Sequence, residues 1–232
     1  MINEHFFTDQ ASWLAATEVY CIDSLQSLIG EKATVYLSGG STPLPLYQQL
    51  ARHDLPFDAF DWALVDERWV EPDHPRSNFS AINAAFEKAA GFHLTPMKNS
   101  ATTPAEGLQM LETAYNQLAE RVGLTILGMG GDGHTASFFP NAEGLDDALD
   151  LGCAQKVAAI HAIPSDVTGL ETDRATLTLN QILRSENIAL LISGESKKEK
   201  FYEALETSAL FSLPVSALLQ QQAKTIDVFW YP

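Results

Sequence analysis

Cysteine is scarce: the 232 residues contain two, Cys21 and Cys153, with no CxxC pair and no histidine at metal-ligand spacing. Nothing signals a disulfide framework or a zinc site, and the expectation is core thiols in a reducing compartment with no metal. Basic residues are also few, 14 Lys and Arg against 30 Asp and Glu, for a formal net charge of −16. The distant field therefore repels nucleic acid and anionic membrane, so neither is expected as a partner. An anionic small molecule would need a local basic pocket, which screening over about 8 Å at physiological salt permits. Long apolar runs are missing as well. The opening Met1-Ile2-Asn3-Glu4-His5-Phe6-Phe7 lacks the basic start and apolar stretch of a signal peptide, and no run approaches membrane-spanning length. The expectation is a soluble cytoplasmic protein, monomeric or a small homo-oligomer. No internal repeat, low-complexity tract or linker-like shift divides the chain, which predicts a single α/β domain over 1–232.

What is present is an alternation of short β-rich runs with amphipathic helical stretches, in a chain that is 46% hydrophobic. Ala11, Leu14, Ala15, Ile22, Leu25 and Leu28 make a first helical stripe after Thr8 and Asp9. Strands are expected at Ala33–Leu37, Trp62–Val65, Leu124–Leu127, Val157–His161, Ala175–Leu179, Ile188–Ile192 and Ile226–Trp230. Helices are expected at Leu44–Ala51, Asn78–Ala90 and Lys197–Leu205. Another follows the capping box Thr103-Pro104-Ala105-Glu106. Residues 141–156 and 164–173 are the least periodic and read as surface loops. The alternation predicts a mainly parallel sheet with helices on both faces.

In such sheets ligands bind outside the carboxyl ends of the strands, where four polar clusters fall. Ser38-Gly39-Gly40-Ser41-Thr42-Pro43 follows the Ala33–Leu37 strand. With Ser41 or Thr42 as a helix cap and glycines baring N–H groups, it reads as a phosphate cradle. No Lys follows the glycines, so it is not a nucleoside triphosphate loop. Asp66-Glu67-Arg68-Trp69-Val70, with Arg76-Ser77-Asn78 beyond, can present a guanidinium to substrate oxygens or merely brace a loop by salt bridges. Gly128-Met129-Gly130-Gly131-Asp132-Gly133-His134 puts an imidazole that titrates near neutrality behind four glycines, with Asp132 as its neighbour or as a turn former. Gly194-Glu195-Ser196-Lys197 adds a point charge, while Lys198 and Lys200 read as solvated helix-face charges.

The first two clusters, together with Gly130-Gly131-Asp132-Gly133-His134-Thr135-Ala136-Ser137-Phe138-Phe139-Pro140, resemble the three signature blocks of the 6-phosphogluconolactonase family. Weaker similarity continues through Arg174-Ala175-Thr176-Leu177-Thr178-Leu179, Gly194 to Lys197 and Pro214-Val215-Ser216. The resemblance implies a fold shared with glucosamine-6-phosphate deaminase and ribose-5-phosphate isomerase. It also implies cofactor-free and metal-free hydrolysis of 6-phospho-D-glucono-1,5-lactone in the oxidative pentose phosphate pathway. One departure stands out: family members often carry a Lys-Pro-Pro-like lead-in before the arginine. Here Gly169-Leu170-Glu171-Thr172-Asp173 places two acidic side chains before Arg174, whose assignment rests on the resemblance.

Lactone hydrolysis needs an activated water, a stabilised oxyanion and a proton for the departing ring oxygen. His134, with an unperturbed pKa of about 6.5, is the candidate base, a contribution of roughly 10²–10⁴-fold. Asp132 or Asp66 could set its tautomer, and Arg68 or the N–H groups of the Gly130–Gly133 turn could meet the oxyanion. Ser38, Gly39, Gly40, Ser41, Thr42, Arg76, Asn78, Gly131, Arg174 and Lys197 are the candidate substrate and phosphate contacts. A deaminase or isomerase of the same fold is the nearest alternative, but the turn after His134 offers no carboxylate for proton shuttling. A non-catalytic sugar-phosphate sensor and a scaffold with a vestigial pocket are the others.

Overall fold

Ala33–Leu37 joins β-branched and aromatic residues with no polar face, the pattern of a strand covered on both sides. In the computed structural model, which describes residues 1–232, all five are buried. The elements in chain order are β1 (Ile2–Phe6), α1 (Gln10–Ser27), β2 (Ala33–Leu37), α2 (Leu44–Leu50), β3 (Phe60–Leu64) and β4 (Asp66–Arg68). Next come α3 (Asn78–Ala85), β5 (Leu94–Thr95), α4 (Pro104–Asn116), β6 (Val122–Gly128), α5 (Leu145–Leu149) and β7 (Val157–His161). The chain finishes with β8 (Asp173–Leu177), α6 (Leu179–Ile182), β9 (Asn187–Ser193), α7 (Glu195–Glu206), α8 (Val215–Gln220) and β10 (Ile226–Tyr231).

Seven strands make one sheet in the order β1-β10-β9-β6-β2-β3-β5, and every pairing in it is parallel. Parallel neighbours need crossover connections, which carry the helices. α1 packs on β6 and β10 with α2 beside it, and α7 packs on β9. Side-chain caps set several helix starts. Asp9 accepts from Ser12 N at 2.8 Å, Ser77 from Ser80 N at 3.2 Å and Thr103 from Glu106 N at 3.2 Å, satisfying N–H groups the first turn leaves free.

The mainly parallel sheet agrees with the sequence pattern; the fate of two expected strands does not. β7 and β8 leave the main sheet and form a three-stranded antiparallel sheet with β4, in the order β4-β8-β7. Val65 joins the two sheets. Its N–H donates to Leu37 O of β2 at 2.9 Å, and its carbonyl accepts from Leu177 N of β8 at 2.8 Å. The expected Ala175–Leu179 strand stops at Leu177 because Thr178 caps α6, its hydroxyl accepting from Gln181 N at 3.2 Å. α3 ends at Ala85 rather than Ala90 as the chain turns Phe86 onto Phe92, ring centroids 4.2 Å apart. Within the expected loop 141–156, α5 forms by burying Leu145 and Ala148. Residues 2–6, read only for their lack of a leader, form edge strand β1. Neither Ser41 nor Thr42 caps α2, which starts after Pro43 without a side-chain cap. Cys21 is a core thiol as expected, but Cys153 is only half-buried. No helix is long and apolar enough to cross a membrane.

Ile126 lies fully buried at the centre of β6. Ile126→Ala is expected to lower unfolding free energy by about 2–5 kcal/mol through lost transfer energy and the remaining cavity, measured by urea denaturation; Ile126→Val loses about 0.5–1.5 kcal/mol.

Candidate active site

At the carboxyl end of β6 the glycine-rich turn closes on itself. Thr135 Oγ1 donates to Gly128 O at 2.8 Å, Gly130 N to His134 O at 2.9 Å and Gly133 N to Gly130 O at 3.1 Å. Asp132 Oδ1 accepts from His134 Nδ1 at 2.5 Å and from the His134 backbone N–H at 3.2 Å. A carboxylate only accepts, so in the neutral ring Nδ1 carries the proton and Nε2 keeps its lone pair. Position 130 must be glycine because a Cβ there would fall 2.2 Å from the His134 ring and 2.6 Å from Asp132 Oδ1. Ala136 takes a left-handed φ of 50°, a strained conformation for a residue with a Cβ. The next residue anchors it: Ser137 Oγ donates to Asp66 Oδ2 at 2.7 Å, and Ser137 N to Thr176 Oγ1 at 3.3 Å. Asp66 therefore holds the turn through Ser137 and does not orient His134, which Asp132 does.

The Ser38–Pro43 loop leaves β2 at the same sheet edge. The N–H groups of Gly39, Gly40, Ser41 and Thr42 donate to no protein acceptor. Ser38 Oγ is buried without a partner, while Thr42 Oγ1 lies 3.2 Å from Ser193 Oγ at the end of β9. Gly39 is required by Asn78, whose Oδ1 would sit 2.0 Å from any Cβ added there.

Arg68 and Arg174 are brought together by pairing in register across β4 and β8, which the sequence could not reveal. Arg68 Nη1 donates to Asn78 Oδ1 and to Arg76 O, each at 2.7 Å. Arg174 is 1% exposed; its Nη2 donates to Thr168 O at 2.9 Å, and its Nε has no partner. The two carboxylates of the acidic lead-in take other partners. Glu171 pairs with Arg76 at 2.6 Å, and Asp173 with His161 at 2.7 Å. Arg76 also donates to Thr168 O at 3.0 Å, so it braces the 165–172 loop.

One cavity of about 220 Å³ gathers these parts: Ser38 to Pro43, Asp66, Arg68, Asn78, Gly128 to Gly130, His134, Ala136, Phe139, Val167, Arg174 and Lys197. Of the predicted residues, Arg76, Gly131 and Asp132 stand outside its wall, Asp132 acting from behind the imidazole. Lys197 reaches it from the first turn of α7. Lys198, expected as a solvated charge, instead lies over the Trp230 ring at 3.7 Å. Burial pushes the Arg174 guanidinium down to about 10, with Arg68 nearby as the next cause. Burial also lowers the Lys197 ammonium against the pull of Asp132. Both are cations short of solvation at a cavity wall, with a buried hydroxyl and a buried N–H unmatched beside them, which favours an anionic, oxygen-rich ligand.

Glu67 is the positioning residue that the sequence reading left without a role. It is 1% exposed and accepts from Arg68 N, Asn78 N and Phe79 N at 2.8 Å each, and from Ser77 Oγ at 3.1 Å. It thereby ties β4 to the start of α3. Burial raises its carboxyl above the ordinary range, partly offset by those three N–H groups. An acid within a strand-like Asp-Glu-Arg triplet gives no sign of this, because its partners other than Arg68 lie ten to twelve residues ahead.

The family model described as glucosamine-6-phosphate isomerases/6-phosphogluconolactonase matches residues 8–230. A 6-phosphogluconolactonase from Nostoc sp. is 37% identical over 233 residues, covering 94% of this chain and 91% of that protein. The crystal structure of a 6-phosphogluconolactonase from Shewanella baltica is 29% identical with a TM-score of 0.93, covering 100% of this chain and 98% of that one. A structure of a monomeric glucosamine-6-phosphate deaminase shares the fold, at 20% identity and a TM-score of 0.79 over 99% of this chain and 97% of that one.

Two measurements follow from the geometry. Glu67→Ala strands three N–H groups and a hydroxyl and is expected to lower stability by about 3 kcal/mol or more in urea denaturation. For Asp132, burial favours the neutral acid, but the hydrogen bond and charge of His134 outweigh it and hold the carboxyl below the ordinary 3.8. A depressed carboxyl stabilises the fold above its unfolded pKa and loses that contribution as pH falls through the folded value. Asp132→Asn should therefore be less stable than the parent near neutral pH, with the gap closing as pH drops below 3.8.

Proposed function

The chain belongs to the glucosamine-6-phosphate isomerase/6-phosphogluconolactonase family, and from that premise we propose that it hydrolyses 6-phospho-D-glucono-1,5-lactone to 6-phospho-D-gluconate. The observation that carries this reading is the convergence, on one cavity, of an imidazole held by a carboxylate with a cationic, N–H-rich wall. His134 Nε2 is the general base. It takes a proton from water as the oxygen attacks C1, and a tetrahedral oxyanion forms. When the C1–ring oxygen bond breaks, the same imidazolium returns its proton to the departing oxygen. Asp132 fixes the tautomer and favours the transient cation.

Gly130 N and Gly133 N are spent inside the turn. Arg68 is thus the better placed donor for the oxyanion, steadied by Asn78 and Glu67. The phosphate lies against the free N–H groups of Gly39 to Thr42, Ser38 Oγ, Arg174 and Lys197. Anchoring that remote group presents C1 to the base and uses binding energy for orientation. Arg76 and Gly131 contribute from outside the cavity wall, Arg76 through the 165–172 loop. The protein is a single-domain cytoplasmic enzyme, a monomer or small homo-oligomer without a nucleic-acid partner, a reading supported by the acidic charge of −16 and the continuous buried core.

Lactone generated in situ from glucose 6-phosphate, followed against its spontaneous opening, tests the activity directly. His134→Ala is expected to lose roughly 10²–10⁴-fold in kcat while binding 6-phosphogluconate within a few-fold of the parent. Gly130→Ala should fall in the same direction, since its methyl displaces the ring. Near-normal turnover by His134→Ala removes the base assignment, and ammonia release from glucosamine 6-phosphate would replace hydrolysis with deamination.

A further inference from the structure

Phe139 closes one side of the cavity with 5% of its surface exposed. Its ring lies against the His134 imidazole, centroids 4.3 Å apart and planes inclined by 31°. The Arg174 guanidinium carbon is 5.3 Å from the same centroid. An aromatic face carries negative quadrupole potential and attracts cations, more strongly where water is excluded. Against such a face a neutral imidazole gains packing alone, whereas an imidazolium gains a cation–π attraction as well.

We propose that Phe139 is a positioning residue that favours the protonated state of His134 and seats Arg174 against the same wall, a role that rests on His134 being the base. The charges around the imidazole show why a ring is useful there. Asp132, on its own turn, favours the cation. Arg174 on β8, Lys197 on α7 and Arg68 on β4 line the same cavity and oppose it. Asp66 on β4 is engaged by Ser137. Lys200, whose stem passes near Gly133, has its ammonium on Glu203 at 2.7 Å. A second carboxylate at position 139 would offset those cations but would repel a phosphorylated substrate and compete for the proton. A benzene face stabilises the imidazolium through its quadrupole while carrying no net charge and no titratable proton. It acts in the interval between removal of the water proton and its return to the ring oxygen.

The test is an NMR titration of the histidine imidazoles in the resting protein, with the His134 signal assigned by its absence in His134→Ala. In Phe139→Leu the His134 midpoint is expected to fall by about half a pH unit, as loss of a cation–π contact converts to a titration shift. The acidic limb of the kcat/KM profile should move down with it, and KM should rise several-fold through Arg174. Difluoro- and pentafluorophenylalanine at position 139 keep the shape while draining the ring face. They should lower the midpoint stepwise even if the leucine variant does not fold, and Phe139→Tyr should restore it. A midpoint that stays put or rises across the fluorinated series overturns the proposal. A shifted midpoint in a protein whose His134→Ala variant keeps its turnover overturns the base assignment instead.

Discussion

Val65 is the point on which the arrangement turns. Its N–H completes the parallel sheet at Leu37, and its carbonyl begins the antiparallel sheet at Leu177. Through that single buried residue the chain changes partner, so that β4 pairs with β8 in the small sheet instead of continuing the parallel one. The main sheet then supplies the imidazole and the N–H-lined loop, and the small sheet supplies the guanidiniums. Neither sheet alone has both. Ser137 adds the second tie, binding the strained turn after His134 to Asp66 and Thr176 of the small sheet.

That junction also resolves an electrostatic conflict. A chain of charge −16 repels a phosphorylated ligand at long range. The local field is inverted by two cations that burial deprives of water and by N–H groups with no internal partner. Arg174 and Lys197 are less comfortable as charges than they would be at the surface, which makes an incoming anion worth more to them. The acidic residues nearest Arg174 in sequence have other partners, Glu171 in an ion pair with Arg76 and Asp173 against the His161 ring. Arg76 thus takes the carboxylate that precedes Arg174 by three residues.

Much of this was legible in the chain. Ala33–Leu37, Val157–His161 and the capped helix after Thr103 follow from periodicity and capping chemistry, which act within a few residues. The clusters following β2, β6 and β9 were locatable because parallel strands all end on one edge. Short elements escaped: β5 has two residues, α6 has four, and neither is long enough to carry a period. Sheet membership of β7 and β8 escaped for a different reason. A strand's side-chain pattern reports what covers its faces, and says nothing of which backbone pairs at its edges.

His134 with Asp132 lies within one turn, and its spacing, glycine setting and chemistry are local properties that the amino-acid order determines by itself. So are the excess of acidic charge, the shortage of thiols and the alternation of strand and helix. The meeting of Arg68 with Arg174, the tie of Glu67 to α3, the diversion of Asp66 to Ser137 and the contact of Phe139 with two cations were decided only in three dimensions. Each depends on hydrogen bonds or packing between segments brought together by the docking of the two sheets, and no local preference encodes that docking.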